Sequence, residues 1–191
     1  MARTPDNNWP LEDAASGVAL RWMRDEPAEF ELLARWLSDE RVLEWVYGRD
    51  DPYSLEDTLE KFGPRTRGED PVRPCFMLAD GQPVGYLQYY PVEKAEDYEL
   101  ETAEHTWGLD LFIGEPDFWN RGIGTTTLQL IIRHLFDHRA AQRIVIDPRV
   151  DNPRAIRCYE KAGFRKIKIL HEHELHEGTH RDCWLMATTT A

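Results

Sequence analysis

The spacing of apolar positions changes along the first third of the chain and predicts a strand followed by helices. Residues 18–22 alternate between apolar and other side chains, as in a β-strand, and the apolar residues between Phe30 and Leu37 follow helical spacing. Ser54 and Asp57 resemble a capping box. A second helix is therefore predicted, ending at the GPRTRGEDP loop and carrying on one face Leu55, Leu59 and Phe62.

The middle of the chain has the pattern of an antiparallel sheet. CFMLA and PVGYLQYY are β-rich runs, and the Asp80-Gly81 pair between them is a strong two-residue hairpin signal. A third strand is predicted at residues 107–113, after an acidic stretch. A long amphipathic helix, a strand at residues 143–147, a helix at residues 153–162 and a closing hairpin around His-Glu-Gly complete the predicted order.

The length of 191 residues favours one α/β domain with a substantial core. Residues 1–16 contain Pro, Asn and Asp with no apolar period, which predicts a flexible arm before a single domain at residues 17–191. No stretch approaches the run of about 20 apolar residues that a membrane-spanning helix needs, so no membrane partner is expected.

The charge and the cysteine content indicate which partners and which cellular compartment to expect. The formal net charge of −12 repels phosphate backbones, which makes nucleic acid a poor candidate partner. The first residues lack the apolar core of a secretory signal, and Cys75, Cys158 and Cys183 are odd in number and lack metal-type CxxC spacing. These features predict a cytoplasmic protein whose thiols are structural and reduced.

The most informative segment is LDLFIGEPDFWNRGIGTTTLQLIIRHLF, in which a strand leads into a loop that opens a helix. Gly122 and Gly124 allow a ligand to approach the backbone closely, and the first amides of a helix are unpaired donors at the positive end of its dipole. That combination suits a pyrophosphate. The segment matches neither GxGxxG nor the phosphate loop of nucleoside triphosphatases, and a plain helix start explains it about as well.

A second segment, DPRVDNPRAIRCYEKAGFRKI, carries the signals of a well-delimited helix. Asn152 is a good N-cap, Pro153 occupies the first helical position, and Gly163 stands where a left-handed C-terminal residue belongs. These three residues are explicable as structural. Tyr159, inside the helix, is able to pass a proton to a departing sulfur, with a packed aromatic as the alternative interpretation.

Taken together, these motifs resemble a known superfamily. The xRGxGT sequence that opens one helix, followed by NPRAIRCYEKAGF in the next, is similar to the Gcn5-related N-acetyltransferase (GNAT) superfamily. Within it, DPRVDNPRAIRCYEKAGF, GLDLFIG and EWVYG look like the aminoglycoside 6'-N-acetyltransferases, and the resemblance covers residues 18–186. Trp119 is a departure, because many members have Gln or Arg there.

The resemblance implies an α/β (α+β) fold of GNAT type: a mixed, mainly antiparallel central sheet with two splayed parallel strands, flanked by helices on both faces. It also implies acetyl-CoA as co-substrate and no metal. The pantetheine arm would pass between the strands at residues 107–113 and 143–147 and contact Asn152. The other implied cofactor-binding residues are Leu111, Phe112 and Ile113, whose amides would polarise the thioester, and the pyrophosphate loop residues Arg121, Gly122, Ile123, Gly124, Thr125 and Thr126.

Acetyl transfer requires a neutral amine and a thiolate that is protonated as it leaves. Asp110 is the candidate for accepting the amine proton, directly or through water, since the resembling enzymes carry an Asp at the matching point. The alternative is an outward-pointing surface residue. Tyr159 is the candidate acid.

An aminoglycoside is a small polycation, so carboxylates should line the acceptor site. Asp97 and Asp147 match acceptor-binding acids in the resembling enzymes; a solvated charge run and an Asp-Pro turn are the respective alternatives. The other predicted substrate-binding residues are Asp110 itself and the stacking or hydrogen-bonding side chains Trp45, Tyr47, Gln88 and Tyr98, for which core packing is nearly as good an explanation.

The sequence therefore favours acetyl-CoA-dependent acetylation of the 6'-amino group of aminoglycosides, which would confer resistance, by a monomer or homodimer. Two alternatives stay open: acetylation of another amine on a protein N-terminus, lysine or siderophore, and a non-catalytic CoA-binding module. A histidine cluster near the C-terminus permits weak metal binding, although an exposed polar hairpin face is the favoured interpretation; its members are His171, His173, His176 and His180.

Overall fold

The alternating apolar positions build one eight-stranded sheet in the computed structural model, which describes residues 9–190. The strands are β1 Leu11–Asp13, β2 Val18–Trp22, β3 Arg73–Ala79, β4 Gln82–Pro91, β5 Thr106–Ile113, β6 Arg143–Ile146, β7 Arg165–His176 and β8 Thr179–Thr189. The helices are α1 Pro27–Trp36, α2 Glu40–Leu43, α3 Leu55–Arg67, α4 Ile123–His138 and α5 Pro153–Ala162, with 3₁₀ turns at Ala95–Tyr98 and Pro116–Phe118. The spatial strand order is β1-β2-β3-β4-β5-β6-β8-β7.

One parallel pair interrupts this antiparallel sheet. β5 and β6 pair through Thr106 with Arg143, Trp107 with Ile144, and Gly108 with Val145. Beyond Gly108, β5 continues to pair with β4 as far as Ile113, while β6 pairs with β8. The two parallel strands therefore separate, and the predicted splayed pair within a mainly antiparallel sheet is confirmed.

Helices cover both faces of the sheet because successive side chains of a strand point to opposite sides. Met77 and Leu87 pack into the core beneath α4 and α5, whereas Phe76 and Tyr86 pack into a second core beneath α1 and α3. All four side chains are at most 2% exposed. The near-continuous apolar runs in β3 and β4 follow from this burial on both faces.

The turn and cap signals of the sequence are confirmed. Asp80 and Gly81 both have positive φ, 49° and 80°, as a tight hairpin turn of this hand requires. The Ser54 side chain and the Asp57 side chain cap each other's backbone amides at the start of α3. Asn152 caps α5 by accepting from the Ala155 amide at 3.1 Å, and Gly163 ends that helix at φ 107°.

Two sequence-based predictions are wrong in part. α3 does not end at Gly63 but runs through Pro64 to Arg67, and Leu55 and Leu59, predicted to share its buried face with Phe62, are 42% and 45% exposed. Phe62 and Thr66, one turn apart, are buried instead, so tertiary burial outweighs the local preference of a Gly-Pro pair.

The second correction concerns the predicted flexible arm, of which residues 1–8 lie outside the described residues. Its later part forms β1, where Leu11 pairs with Leu20 and packs against the core beneath α4. A three-residue edge strand is too short to show a period in the sequence.

A glycine substitution just after β5 should lower stability. A Cβ at Gly114 would overlap the ring of Trp36, which is 1% exposed and packed in the second core. Gly114→Ala should therefore lower the free energy of unfolding by about 1–3 kcal/mol. Chemical denaturation measures this change, and an unchanged or higher stability of Gly114→Ala would contradict the packing described.

Candidate active site

A cleft of about 790 Å³ opens where β5 and β6 separate. Its walls come from the segment after α2, the ends of β5 and β6, the start of α4, one side of α5 and the C-terminal part of β7. Most of the residues predicted from the sequence line it, namely Trp45, Tyr47, Gln88, Asp110, Leu111, Phe112, Ile113, Gly122, Ile123, Gly124, Thr125, Asp147, Asn152 and Tyr159. Four predicted residues do not: Arg121, Thr126, Asp97 and Tyr98.

The start of α4 presents hydrogen-bond donors at one end of the cleft. Gly122 is the N-cap, at φ 81°, and it has no side chain to cap the helix. The Thr126 amide makes the first bond of the helix, to the Gly122 carbonyl at 3.0 Å, so the amides of residues 123–125 precede the helical ladder. The first turn carries no acidic residue, and a Cβ at Gly122 would meet no atom within 4 Å. Backbone donors and open space together suit an anionic group.

Gly124 has a structural explanation as well as a possible role beside a ligand. A Cβ there would lie 3.1 Å from the Cys158 sulfur, and the Thr125 hydroxyl is 3.4 Å from the same sulfur. The glycine therefore permits the close approach of α4 to α5. That contact fixes the helix start against the wall of the cleft that carries Tyr159.

Cationic side chains that the sequence reasoning missed surround the same end. Arg154, Arg157 and Lys161 line the cleft from α5. The Arg154 guanidinium lies 4.0 Å from the ring centroid of Trp119, whose indole N–H donates to the Ile113 carbonyl at 2.9 Å. The three cations follow helical spacing, which is the signal that could have found them.

Tyr159 is buried in the cleft wall formed by α5, at 8% exposure. Burial raises the pKa of its phenol well above the ordinary value, and the neighbouring Cys158 thiol raises it further. Tyr159 therefore remains protonated at neutral pH, as a proton donor must.

Asp110 lies deeper in the cleft, on β5 opposite Gln88 of β4. The Gln88 amide donates to Asp110 Oδ2 at 2.6 Å, and the Tyr90 hydroxyl donates to Oδ1 at 3.4 Å. Burial is the main cause that raises the pKa of Asp110 to about 6, and the nearby Asp147 adds to it. The side chain faces the cleft rather than bulk solvent.

The acceptor end of the cleft is acidic. Asp147 lies beyond the end of β6 and bonds to His173 of β7, Oδ2 to Nε2, at 2.9 Å. That bond raises the pKa of His173. Asp51 and Glu174 also line this end. The cleft therefore has a basic end at α4 and α5 and an acidic end at Asp110 and Asp147.

The predicted aromatic residues are partly engaged with the protein. Tyr47 stacks on Tyr53 with ring centroids 5.1 Å apart, and the Lys61 ammonium lies 4.0 Å from the Tyr47 ring. Trp45 packs against the guanidinium groups of Arg149 and Arg154 at 5.5 and 5.6 Å. Each ring still contributes surface to the cleft.

Asp97 and Tyr98 lie in a separate, smaller pocket of about 320 Å³, which shares only His173 with the main cleft. Tyr98 reaches the site indirectly, because its hydroxyl is 2.8 Å from that of Tyr90. The 3₁₀ turn that carries both residues turns Asp97 outward. Sequence position alone did not show this turn.

The C-terminal histidines do not converge. His171 contacts Asp182, His173 contacts Asp147, His176 contacts Glu174, and His180 contacts the Glu172 carbonyl. Within residues 9–190 no group of three or more His, Cys, Asp or Glu side chains is arranged to hold a metal ion. No helix in the same part of the chain is long and apolar enough to cross a membrane.

Comparison with known proteins agrees with this geometry. A family model described as an acetyltransferase (GNAT) domain matches residues 25–171. The chain is 32% identical over 158 residues to aminoglycoside N(6')-acetyltransferase type 1 of Klebsiella pneumoniae, covering 82% of this chain and 78% of that protein. It is similar to the solved structure of AAC(6')-Ib with ribostamycin and coenzyme A, with a TM-score of 0.76 and 28% identity over 91% of this chain and 93% of that one.

A more distant similarity shows the fold alone. Spermidine N-acetyltransferase of Vibrio cholerae, solved with CoA and spermine, has a TM-score of 0.74 at 18% identity, and the superposition covers 91% of this chain and 96% of that one. The family match extends over most of the chain, and the splayed strands and helix start occur within it. This protein therefore belongs to the GNAT acetyltransferase family.

Proposed function

We propose that this protein transfers the acetyl group of acetyl-CoA to the 6'-amino group of an aminoglycoside and so confers resistance. The observation that carries the proposal is the polarity of the cleft, which has helix amides and three cations at one end and Asp110 and Asp147 at the other. A polyphosphate donor and a polycationic acceptor are complementary to these ends. The relatives named above are consistent with this pairing.

The residues present fit acetyl-CoA. The uncapped start of α4, with open space beside Gly122, would hold the pyrophosphate through the backbone of residues 122–125. Asn152 and the edge of residues 111–113 that faces away from β4 would contact the pantetheine arm and the thioester carbonyl. When bound, acetyl-CoA supplies the activated acetyl group.

The chemistry of the chain's own residues follows from their environments. Asp110, with a pKa of about 6, is mostly ionised at neutral pH and takes the proton that the amine loses. Tyr159, protonated and buried, gives a proton to the departing sulfur. These two residues account for both proton transfers, so the proposal requires no metal.

The acidic end of the cleft would orient the acceptor. A carboxylate about 4 Å from an ammonium group gains roughly 4 kcal/mol at an effective dielectric near 20, before the cost of desolvation. Asp147 and Asp110 are positioned to do this in the main cleft. Asp97 would contact only a part of the acceptor that extends towards the smaller pocket.

We also infer a cytoplasmic location and a monomer or homodimer. The three cysteines are free thiols, two of them buried, which suits a reducing compartment.

One assay tests the function. Purified protein is incubated with acetyl-CoA and kanamycin or tobramycin, and thiol release is followed together with NMR of the product. Acetylation at the 6'-nitrogen is expected, with no reaction on an aminoglycoside that carries a hydroxyl at that position. Turnover only with polyamines, peptides or hydroxylamines would assign another acceptor, and CoA binding without turnover would refute the catalytic proposal.

Asp110→Asn should lower kcat/KM by about 10²- to 10⁴-fold because an amide cannot accept the amine proton. The Kd for CoA should stay within about twofold, since Asp110 lies away from the start of α4, where its phosphates would bind. Asp137→Asn, at an exposed position on α4, is the matched control and should behave as wild type. Equal losses of turnover and CoA affinity in Asp110→Asn would place that residue elsewhere.

The pH profile should report the Asp110 titration. A base must be ionised to accept a proton, so kcat/KM should fall as the pH drops through about 6, tenfold per pH unit at the lower end. The inflection near pH 6 should be absent from the pH profile of the residual activity of Asp110→Asn. A limb near pH 4 in the wild type would show that Asp110 is solvated like a surface carboxylate.

Tyr159→Phe should lower kcat by about 10²-fold and leave the Kd for CoA nearly unchanged, because only the proton donor is removed. Steady-state kinetics and calorimetric titration with CoA measure the two quantities. A purely structural Tyr159 would instead give unchanged kcat in the folded variant.

A further inference from the structure

The Gln88 side chain has its orientation fixed by two donors. Gln88 is 7% exposed, and its amide oxygen accepts from Arg65 Nη1 at 2.7 Å and from the Tyr86 hydroxyl at 2.9 Å. An amide NH₂ group cannot occupy that position, because it would direct its own hydrogens at the Arg65 guanidinium, which is able only to donate. The NH₂ group of Gln88 must therefore face Asp110.

This orientation distinguishes the two oxygens of Asp110. Oδ2 accepts from Gln88 at 2.6 Å, and protonation of Oδ2 would weaken this short bond, because a carboxyl hydroxyl is a poorer acceptor than a carboxylate oxygen. Oδ1 has only the longer 3.4 Å contact with Tyr90, whose hydroxyl also lies 2.8 Å from that of Tyr98. Oδ1 is therefore the oxygen left to exchange a proton with a ligand in the cleft.

We propose that Arg65 is a positioning residue for acetyl transfer, which fixes the Gln88 amide so that Gln88 holds Oδ2 of Asp110 and leaves Oδ1 to take the amine proton. The inference rests on the proposed function and extends it to a residue that lines no part of the cleft. It also changes the role expected of Gln88, whose amide oxygen and one N–H are used within the protein.

The fold explains how Arg65 reaches this position. It lies in the last turns of α3, beyond the Gly-Pro pair, and its guanidinium packs 5.2 Å from the Phe62 ring centroid. If α3 ended at Gly63, this side chain would not be held over β4. Arg67, two residues further on, is exposed and bonds Glu69 instead.

The charge of Arg65 adds to its geometric effect. Arg65 and the Gln88 and Tyr90 hydrogen bonds lower the pKa of Asp110, opposing burial and Asp147, which raise it. Lys61 and His173 also lie on this side of the cleft, and His173 is bonded to Asp147. The other groups around Asp110 are the carboxyl groups of Asp51 and Glu174, which line the same end of the cleft, and the protonated phenols of Tyr47, Tyr90, Tyr98 and Tyr159.

The experiment compares Arg65→Met with Arg67→Met. In the full-length protein, Arg65→Met should shift the acidic limb of the kcat/KM profile upward by about one pH unit. The variant loses the positive charge of Arg65 and the hydrogen bond that keeps the Gln88 amide directed at Asp110. It should lower kcat at pH 6 by about fivefold while changing the KM for the aminoglycoside by less than about twofold. Arg67→Met removes the same charge from the same helix without touching Gln88 and should match the wild type.

Two further variants separate geometry from charge. Tyr86→Phe removes the other donor to Gln88 without removing a charge, and a smaller upward shift of the same limb is expected. Arg65→Lys keeps the charge and one donor and should recover most of the wild-type profile. A shift in Arg65→Met with none in Tyr86→Phe and an equal shift in Arg67→Met would reduce the effect to net charge and overturn the proposal.

A direct titration keeps this inference separate from the proposed function. The Asp110 carboxyl carbon is followed by ¹³C NMR in protein labelled at aspartate and assigned with Asp110→Asn. An upward shift of its pKa in Arg65→Met and Tyr86→Phe supports the positioning role even if no aminoglycoside is acetylated. An unchanged titration in both folded variants overturns it even if the wild type acetylates aminoglycosides.

Discussion

The separation of β5 from β6 is the constraint on which the rest of the site depends. Each strand keeps its outer neighbour, β4 for β5 and β8 for β6. Beyond Gly108 and Val145, where the pairing between β5 and β6 stops, each strand follows the twist that it shares with its own neighbour. An unpaired strand edge inside a sheet is costly unless its amides and carbonyls find other partners. A ligand with amides along its length, such as pantetheine, is able to satisfy such an edge, which makes the gap a binding site rather than a defect.

The glycine at the branch point links this backbone feature to the chemistry. Gly108 pairs with Tyr90 across β4 and β5, and a side chain there would overlap the Tyr90 ring. The ring therefore lies across β5, and its hydroxyl reaches both Tyr98 and Asp110. Gly108 is thus the last residue of β5 that pairs with β6, and its lack of a side chain permits the contact between Tyr90 and Asp110, the predicted base.

Local signals allowed much of the fold and part of the site to be predicted. Asn152, Pro153, Gly163 and Gly122 act through their own backbone geometry or that of the next turn, so the sequence contains what is needed to identify them. The Arg65–Gln88–Asp110 chain joins residues of α3, β4 and β5, and no period within one element indicates it. It depends on α3 continuing past Pro64, which local propensity argues against. Asp97 shows the reverse case, in which a suitable residue type lies near the site in sequence but faces another pocket.

The pKa of Asp110 near 6 is a balance that neither burial nor hydrogen bonding would give alone. Burial and Asp147 favour the neutral acid, whereas Gln88, Tyr90 and Arg65 favour the carboxylate. A more solvated carboxylate would be ionised but too weak a base for an amine proton, and a more deeply buried one would be neutral at the pH of the cell. The donors to Gln88 come from α3 and β4, so the helix that continues past a proline also helps set the basicity of Asp110 on the adjacent strand β5. In this protein the strength of the base is thus a property of the packing between a helix and a sheet, not of the carboxylate alone.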